Sequence, residues 1–161
     1  MMLSNKYLGK MRKVRTVDEK TLDLQIEIVQ VSIYYDLIRR LLIKYRCISM
    51  IKVAAISYII KKREFFLGSI YSAKNTNDLV LKFLSQANGL FDEFCDQLKY
   101  IFEAVDILVA DGDCKVHEGE LTCNPSLHLS VKGFDAFTES VIRESINYTD
   151  RQFLKEVISV V

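Results

Sequence analysis

The sequence contains no tryptophan, a single proline (Pro125), six glycines and two histidines in 161 residues. With so few helix breakers, the long stretches before residue 110 favour helices, and turn residues cluster between Asp111 and Gly133. Two histidines give little material for general acid–base chemistry. Long apolar runs are also lacking. The most apolar stretch, VAAISYII at 53–60, is short and is closed by Lys61, Lys62 and Arg63, which excludes a membrane-spanning helix there. The first 15 residues, MMLSNKYLGKMRKVR, are basic but have neither the apolar core nor the cleavage site of a secretory signal. A cytoplasmic protein is therefore expected, its four cysteines reduced, buried thiols and its sequon Asn147-Tyr148-Thr149 a chance occurrence. Phosphate-binding loops of the GxxxxGK[ST] type, GxSxG elbows, HExxH pairs and glycine-rich dinucleotide turns are all missing. No enzyme, no cofactor and no small-molecule substrate is expected.

Half of the residues are apolar, enough at this length to bury a real core. The net charge of +1 conceals a division along the chain. Residues 1–63 carry 14 Lys and Arg against 5 Asp and Glu, whereas residues 64–161 carry 8 against 16. Such asymmetry has two readings: opposed surfaces for an acidic and a basic partner, or mutual neutralisation within one fold.

Thr16-Val-Asp-Glu19 matches a capping box, so a helix can open there. The next stretch, LDLQIEI at 22–28, alternates with the period of a strand. A short strand or extended entry is expected, followed by a helix from Val29 to about Arg46. Ser49 can cap a second helix, MIKVAAISYIIKKREFF, which is apolar on most sides and hence central. Its closing cations suit the negative end of a helix dipole. After a link at 67–75, Asp78–Asn88 reads as a shorter helix closed by Gly89. Phe91, Phe94, Leu98, Ile101, Val105 and Leu108 then recur at intervals of three and four, with acids between them. That pattern predicts an amphipathic helix whose apolar stripe is widened by Cys95, Phe102 and Val109, as suits a globular core. A further helix passes through Phe134, Phe137 and Val141, and Thr149-x-x-Gln152 is a second capping box opening the last one. Its end, Val157, Ile158, Val160 and Val161, is an apolar terminus, a candidate for packing on its own domain or on a partner subunit.

The stretch DCKVHEGELTCNPSLH at 113–128 spaces two cysteines and both histidines like zinc ligands. With Glu118-Gly119 as the turn of a hairpin, however, Cys114 faces Cys123, Lys115 faces Thr122, Val116 faces Leu121 and His117 faces Glu120. Opposed residues share a sheet face and successive ones alternate, so Cys114, Val116, Leu121 and Cys123 point together to the core while His117 points away. A four-ligand site cannot form without breaking that register, and no metal is expected. Two small buried thiols are expected, in a position where a cross-strand disulfide is geometrically conceivable.

The fold expected is mostly α with a small β-hairpin: a basic arm at 1–15, then a single winged-helix-like domain at 16–161 with its wing-like hairpin at 113–123. Arg39, Arg40, Lys44, Lys61, Lys62 and Arg63 form the candidate basic contact surface of such a molecule. One function class is a winged-helix DNA-binding transcriptional regulator, although the acidic wing tip EGE would repel phosphates. The other is a small non-catalytic subunit that bridges larger partners. The runs EIVQVSIYYDLIRRLLIKYRCISMIKVAAISYIIKKREFF at 27–66 and YIFEAVDILVADGDCKVHEGELT at 100–122, with the closing FLKEVISVV, resemble the middle-component subunits of bacterial ABC-three-component systems. These include the small accessory subunit of Lamassu-type antiphage and antiplasmid defence. The resemblance carries no catalytic residue. It implies a small protein with winged-helix character between an SMC-like coiled-coil ATPase and an effector, often a nuclease, that contacts DNA, if at all, through the complex.

Overall fold

The computed structural model describes residues 19–66, 91–125, 127 and 133–160, apart from the side chains of 19, 63–66 and 156–160. In chain order the elements are α1 (Glu19–Tyr45), β1 (Cys47–Ser49), α2 (Met50–Phe66), α3 (Phe91–Ala110), β2 (Cys114–His117), β3 (Glu120–Cys123), α4 (Ala136–Ile146) and α5 (Asp150–Val160). The chain is thus mostly helical with a small antiparallel sheet. No helix among the described residues is long and apolar enough to cross a membrane. The capping box at Thr16, the link at 67–75, the helix expected over 78–88 and His128 lie outside the described residues.

Every side chain from Lys52 to Lys61 is buried, so α2 is the central element. Its N-terminus is set by Ser49, whose Oγ accepts the Lys52 amide at 3.4 Å, the capping its position predicts. The other helices cover it. α1 contributes Tyr34, Leu37, Ile38, Leu41 and Leu42, α3 contributes Ile101, Ala104, Val105 and Leu108, and the C-terminal pair adds Val141, Ile142 and Phe153. The small polar members Ser57 and Ser145 turn their hydroxyls onto helix carbonyls one turn back, Ala54 and Ile142, so no buried donor is stranded there.

The period-two stretch at 22–28 is not a strand. It lies inside α1, where Leu22, Leu24, Ile26 and Ile28 are all exposed. Alternation yields a strand only when one face has a sheet to cover it, and no strand of the sheet runs alongside this segment. α1 ends at Arg46, which adopts a left-handed φ of 62° and turns the chain into β1.

β1 is too short to read from sequence. It pairs antiparallel with β3, Ile48 opposite Leu121, giving the strand order β1-β3-β2. The hairpin register is the one its turn dictates: Cys114 opposite Cys123, Lys115 opposite Thr122, Val116 opposite Leu121, His117 opposite Glu120. Glu118 and Gly119 both have positive φ, 50° and 81°, as a tight two-residue hairpin loop requires. Upstream, Gly112 at φ 76° closes α3 with paired bonds, Gly112 N to Val109 O and Asp113 N to Leu108 O. Helix end and hairpin start are therefore one rigid piece. On the core face Cys114, Leu121 and Cys123 are buried, but Val116, near the turn end of the edge strand β2, is 46% exposed.

α4 begins at Ala136, two residues after Phe134, since Asp135 Oδ1 caps the amides of Phe137 and Thr138 at 3.1 Å. The second capping box forms as its sequence predicts. The Thr149 amide donates to Gln152 Oε1 at 2.9 Å, and the Gln152 amide donates back to Thr149 Oγ1 at 3.2 Å.

Leu121 is fully buried on the central strand, so Leu121→Ala is expected to cost about 3 kcal/mol through lost burial and a residual cavity. Val116→Ala, across the same pair, is expected to cost under about 1 kcal/mol. Equal shifts in a urea unfolding midpoint for the two variants would contradict this division of the hairpin.

Candidate functional site

The candidate basic surface is largely committed inside the fold. Arg39 Nε donates to Asp113 Oδ2 at 2.8 Å, tying α1 to the helix–hairpin junction, where Tyr35 also donates to Asp111 at 3.1 Å. Arg40 is buried, its guanidinium 4.4 Å from the Phe134 ring centre and bonded to Gly133 O at 3.4 Å. Lys44 pairs with Glu139 of α4. Lys62 pairs with Glu93 of α3 at 2.6 Å. The Arg63 side chain lies outside the described residues. Each described member thus joins the basic half of the chain to a partner, in most cases one from the acidic half.

Lys61 is the most constrained of the set. Its ammonium is buried between α1, α2 and α3, donating to the side-chain carbonyls of Gln30 and, at 2.5 Å, Gln97. The Tyr34 ring lies 4.5 Å away, and the Tyr34 hydroxyl also donates to Gln97 Oε1. No carboxylate among the described residues bonds it, and burial pulls its pKa from 10.5 down to about 8, the charge of Glu93 opposing this and that of Lys62 adding to it. An ammonium so enclosed is a structural hub rather than a contact for phosphate.

A cleft of about 380 Å³ opens where β1, the start of α2, the hairpin and the start of α5 meet, lined among others by Cys47, Ser49, Lys52, Glu120, Tyr148 and Asp150. Each of these polar groups already has a partner. Ser49 Oγ donates to Asp150 Oδ1 at 2.6 Å, Lys52 Nζ donates to Tyr148 O at 2.6 Å, and Cys47 Sγ donates to Glu120 at 3.3 Å. Burial and the neighbouring Glu120 carboxylate push the Cys47 thiol up, away from the thiolate needed for nucleophilic attack, against a lowering by the Thr122 hydroxyl. The arrangement splices β1 and α2 to α5.

The cysteines divide. Cys114 and Cys123 are buried, whereas Cys47 and Cys95 are exposed, correcting the expectation of four buried thiols. Desolvation first, with the Asp113 charge beside it, pushes the Cys114 thiol up to about 11. No group of three His, Cys, Asp or Glu side chains converges on a point among the described residues. Of the apolar terminus, Val157, Ile158 and Val160 lie in the last turns of α5 with their side chains outside the described residues, as is the whole of Val161.

The surface that the sequence pattern misassigns is the outer face of α3. Cys95, Phe102 and Val109, expected to widen the core stripe, are exposed together with Phe91. The helix packs through Ile101, Val105 and Leu108 of the expected stripe together with Ala104, and Phe94 and Leu98 lie partly buried against the core. Spacing placed the centre of the stripe but not its limit, because the apolar positions cover a wider arc than the packed side buries. The one available clue was Ala104, whose small side chain permits close approach on the packed side.

Protein-family models, curated proteins and solved structures yield no match to this chain.

For Lys61 the sign of the pH dependence follows from its lowered pKa. Between about pH 8 and 10.5 the unfolded chain retains a proton that the folded chain has lost, so this residue makes stability rise with pH across that window. The melting temperature of the native protein is accordingly expected to gain on that of Lys61→Met from pH 7.5 to 10. A difference between the two that stays constant would show that the ammonium is not desolvated.

Proposed function

We propose that this chain is a non-catalytic accessory subunit that joins an SMC-like coiled-coil ATPase to an effector of nuclease type in a bacterial antiphage or antiplasmid defence complex, acting in the cytoplasm. The observation that carries the binding role is the fate of the charges. The described cations of the candidate basic surface are engaged within the fold, while α3 turns carboxylates and phenylalanines outward. A surface of that chemistry suits a protein and repels a nucleic acid. The cleft supports the same reading, since its serine, lysine, cysteine and carboxylates already hold elements together. The identity of the complex rests on the sequence resemblance to middle-component subunits.

A second reading, a winged-helix DNA-binding regulator, is favoured by one feature. A strand between the first two helices pairs with a hairpin that directly follows a helix, in the order β1-β3-β2. In that arrangement α3 would be the helix presented to DNA. Its exposed Asp92, Asp96, Glu103 and Asp106, and the tip Glu118-Gly119-Glu120, oppose contact with phosphates.

Tagged chain expressed in its source cells is expected to retain a large ATPase and a second subunit in fixed ratio through two purification steps. A monodisperse monomer that retains neither would count against the accessory role. Duplex binding that weakens steeply with salt, and is lost on neutralising Arg39, Arg40, Lys61 and Lys62 in a variant that still melts cooperatively, would favour the regulator instead.

A further inference from the structure

We propose that the outer face of α3 is a docking surface for a basic amphipathic helix of a partner protein. This rests on the accessory-subunit reading and specifies where, and by what chemistry, one partner is held. Phe91, Cys95, Phe102 and Val109 follow one another at intervals of four, seven and seven, which sets them in a line down one side of the helix. All four are exposed, the three larger ones at 50, 45 and 41%. Beside that line, Asp92, Asp96, Glu103 and Asp106 form a second row at intervals of four, seven and three. These carboxylates are exposed and make no hydrogen bond or ion pair among the described residues. The one cation on the face, Lys99, is bound to Glu27 of α1 at 3.3 Å.

An apolar line next to an acidic row is complementary to a helix that carries apolar residues three and four apart with Lys or Arg along one flank. The line runs from Phe91 to Val109, about 27 Å, which about five turns of a partner helix would cover. Phe91 at one end and Phe102 in the middle supply the anchors, and the carboxylates select the flank and the orientation. A nucleic acid is a poor occupant because its phosphates meet four carboxylates. A second copy is a poor occupant as well, since a two-fold axis on this face sets the same acidic row against itself. Within the packed body Arg39, Lys44 and Lys62 are already bound to Asp113, Glu139 and Glu93 and do not supply the counter-charge.

The test uses the full chain in its source cells with p-benzoylphenylalanine in place of Phe102, irradiated, with the crosslinked peptide sequenced and co-purifying subunits scored in the same sample. The expected adduct is a segment of another protein with apolar residues three and four apart and a net positive charge. Adding Glu103→Lys and Asp106→Lys is expected to lower the crosslink yield about tenfold, with an unchanged melting temperature, because like charges then meet across the contact. Adducts with residues 1–15 of the same chain, with a second copy, or with an acidic or non-helical segment would overturn the proposal. So would a yield indifferent to the charge reversal. Absence of an adduct while the ATPase and second subunit still co-purify overturns this surface and leaves the accessory role standing; absence of both overturns the two together.

Discussion

Burial of α2 on every side is the constraint on which the rest of the structure depends. Ten consecutive side chains from Lys52 to Lys61 are withdrawn from water, and both ends of that run are lysines. An ammonium taken out of water must be met by oxygens, since leaving it unpaired costs several kcal/mol. Lys52 meets Tyr148 O and, at 3.7 Å, the carboxylate of Asp150, which holds the start of α5 against the start of α2. Lys61 meets Gln30 and Gln97, which holds α1 and α3 together over the other end. The apolar residues between them drive assembly, and the two lysines specify which helices arrive where.

The division of charge along the chain has the same structural logic. Arg39, Lys44 and Lys62 each reach an acid from the second half of the sequence, so the halves neutralise one another across the helix contacts. Pairs that retain some exposure contribute little each, on the order of 0–1 kcal/mol, but they remove cations from the set available to a partner. Asp92, Asp96, Glu103 and Asp106 of α3 have no such counterparts among the described residues, which leaves the described surface more acidic in character than the net charge of +1 suggests.

Local signals were legible wherever the chemistry is local. Ser49 and the Thr149–Gln152 pair cap helices through their own side chains, Gly112 ends α3 through a φ that other residues avoid, and the Glu118-Gly119 turn sets the hairpin register two residues at a time. Signals that depend on a neighbour were not. The alternation of LDLQIEI is helical because no strand comes to pair with it, β1 exists only because β3 is there to receive it, and the edge of the α3 stripe at Cys95, Phe102 and Val109 is left uncovered. For the candidate site the same limit applied: the basic residues could be enumerated in advance, but not their engagement by Asp113, Gly133, Gln97, Glu93 and Glu139, all distant in sequence.

By itself the sequence determined that this chain is mostly helical, that α2 lies at its centre, that a tight hairpin follows α3, and that His117 and the paired cysteines occupy opposite faces of that hairpin. Each follows from backbone geometry and side-chain period, properties that act over a few residues. Only the tertiary structure decided which charges are left for a partner and that Cys95, Phe102 and Val109 on α3 stay uncovered. Those outcomes depend on contacts between residues 31 to 95 positions apart, and nothing in a residue's near neighbours records them.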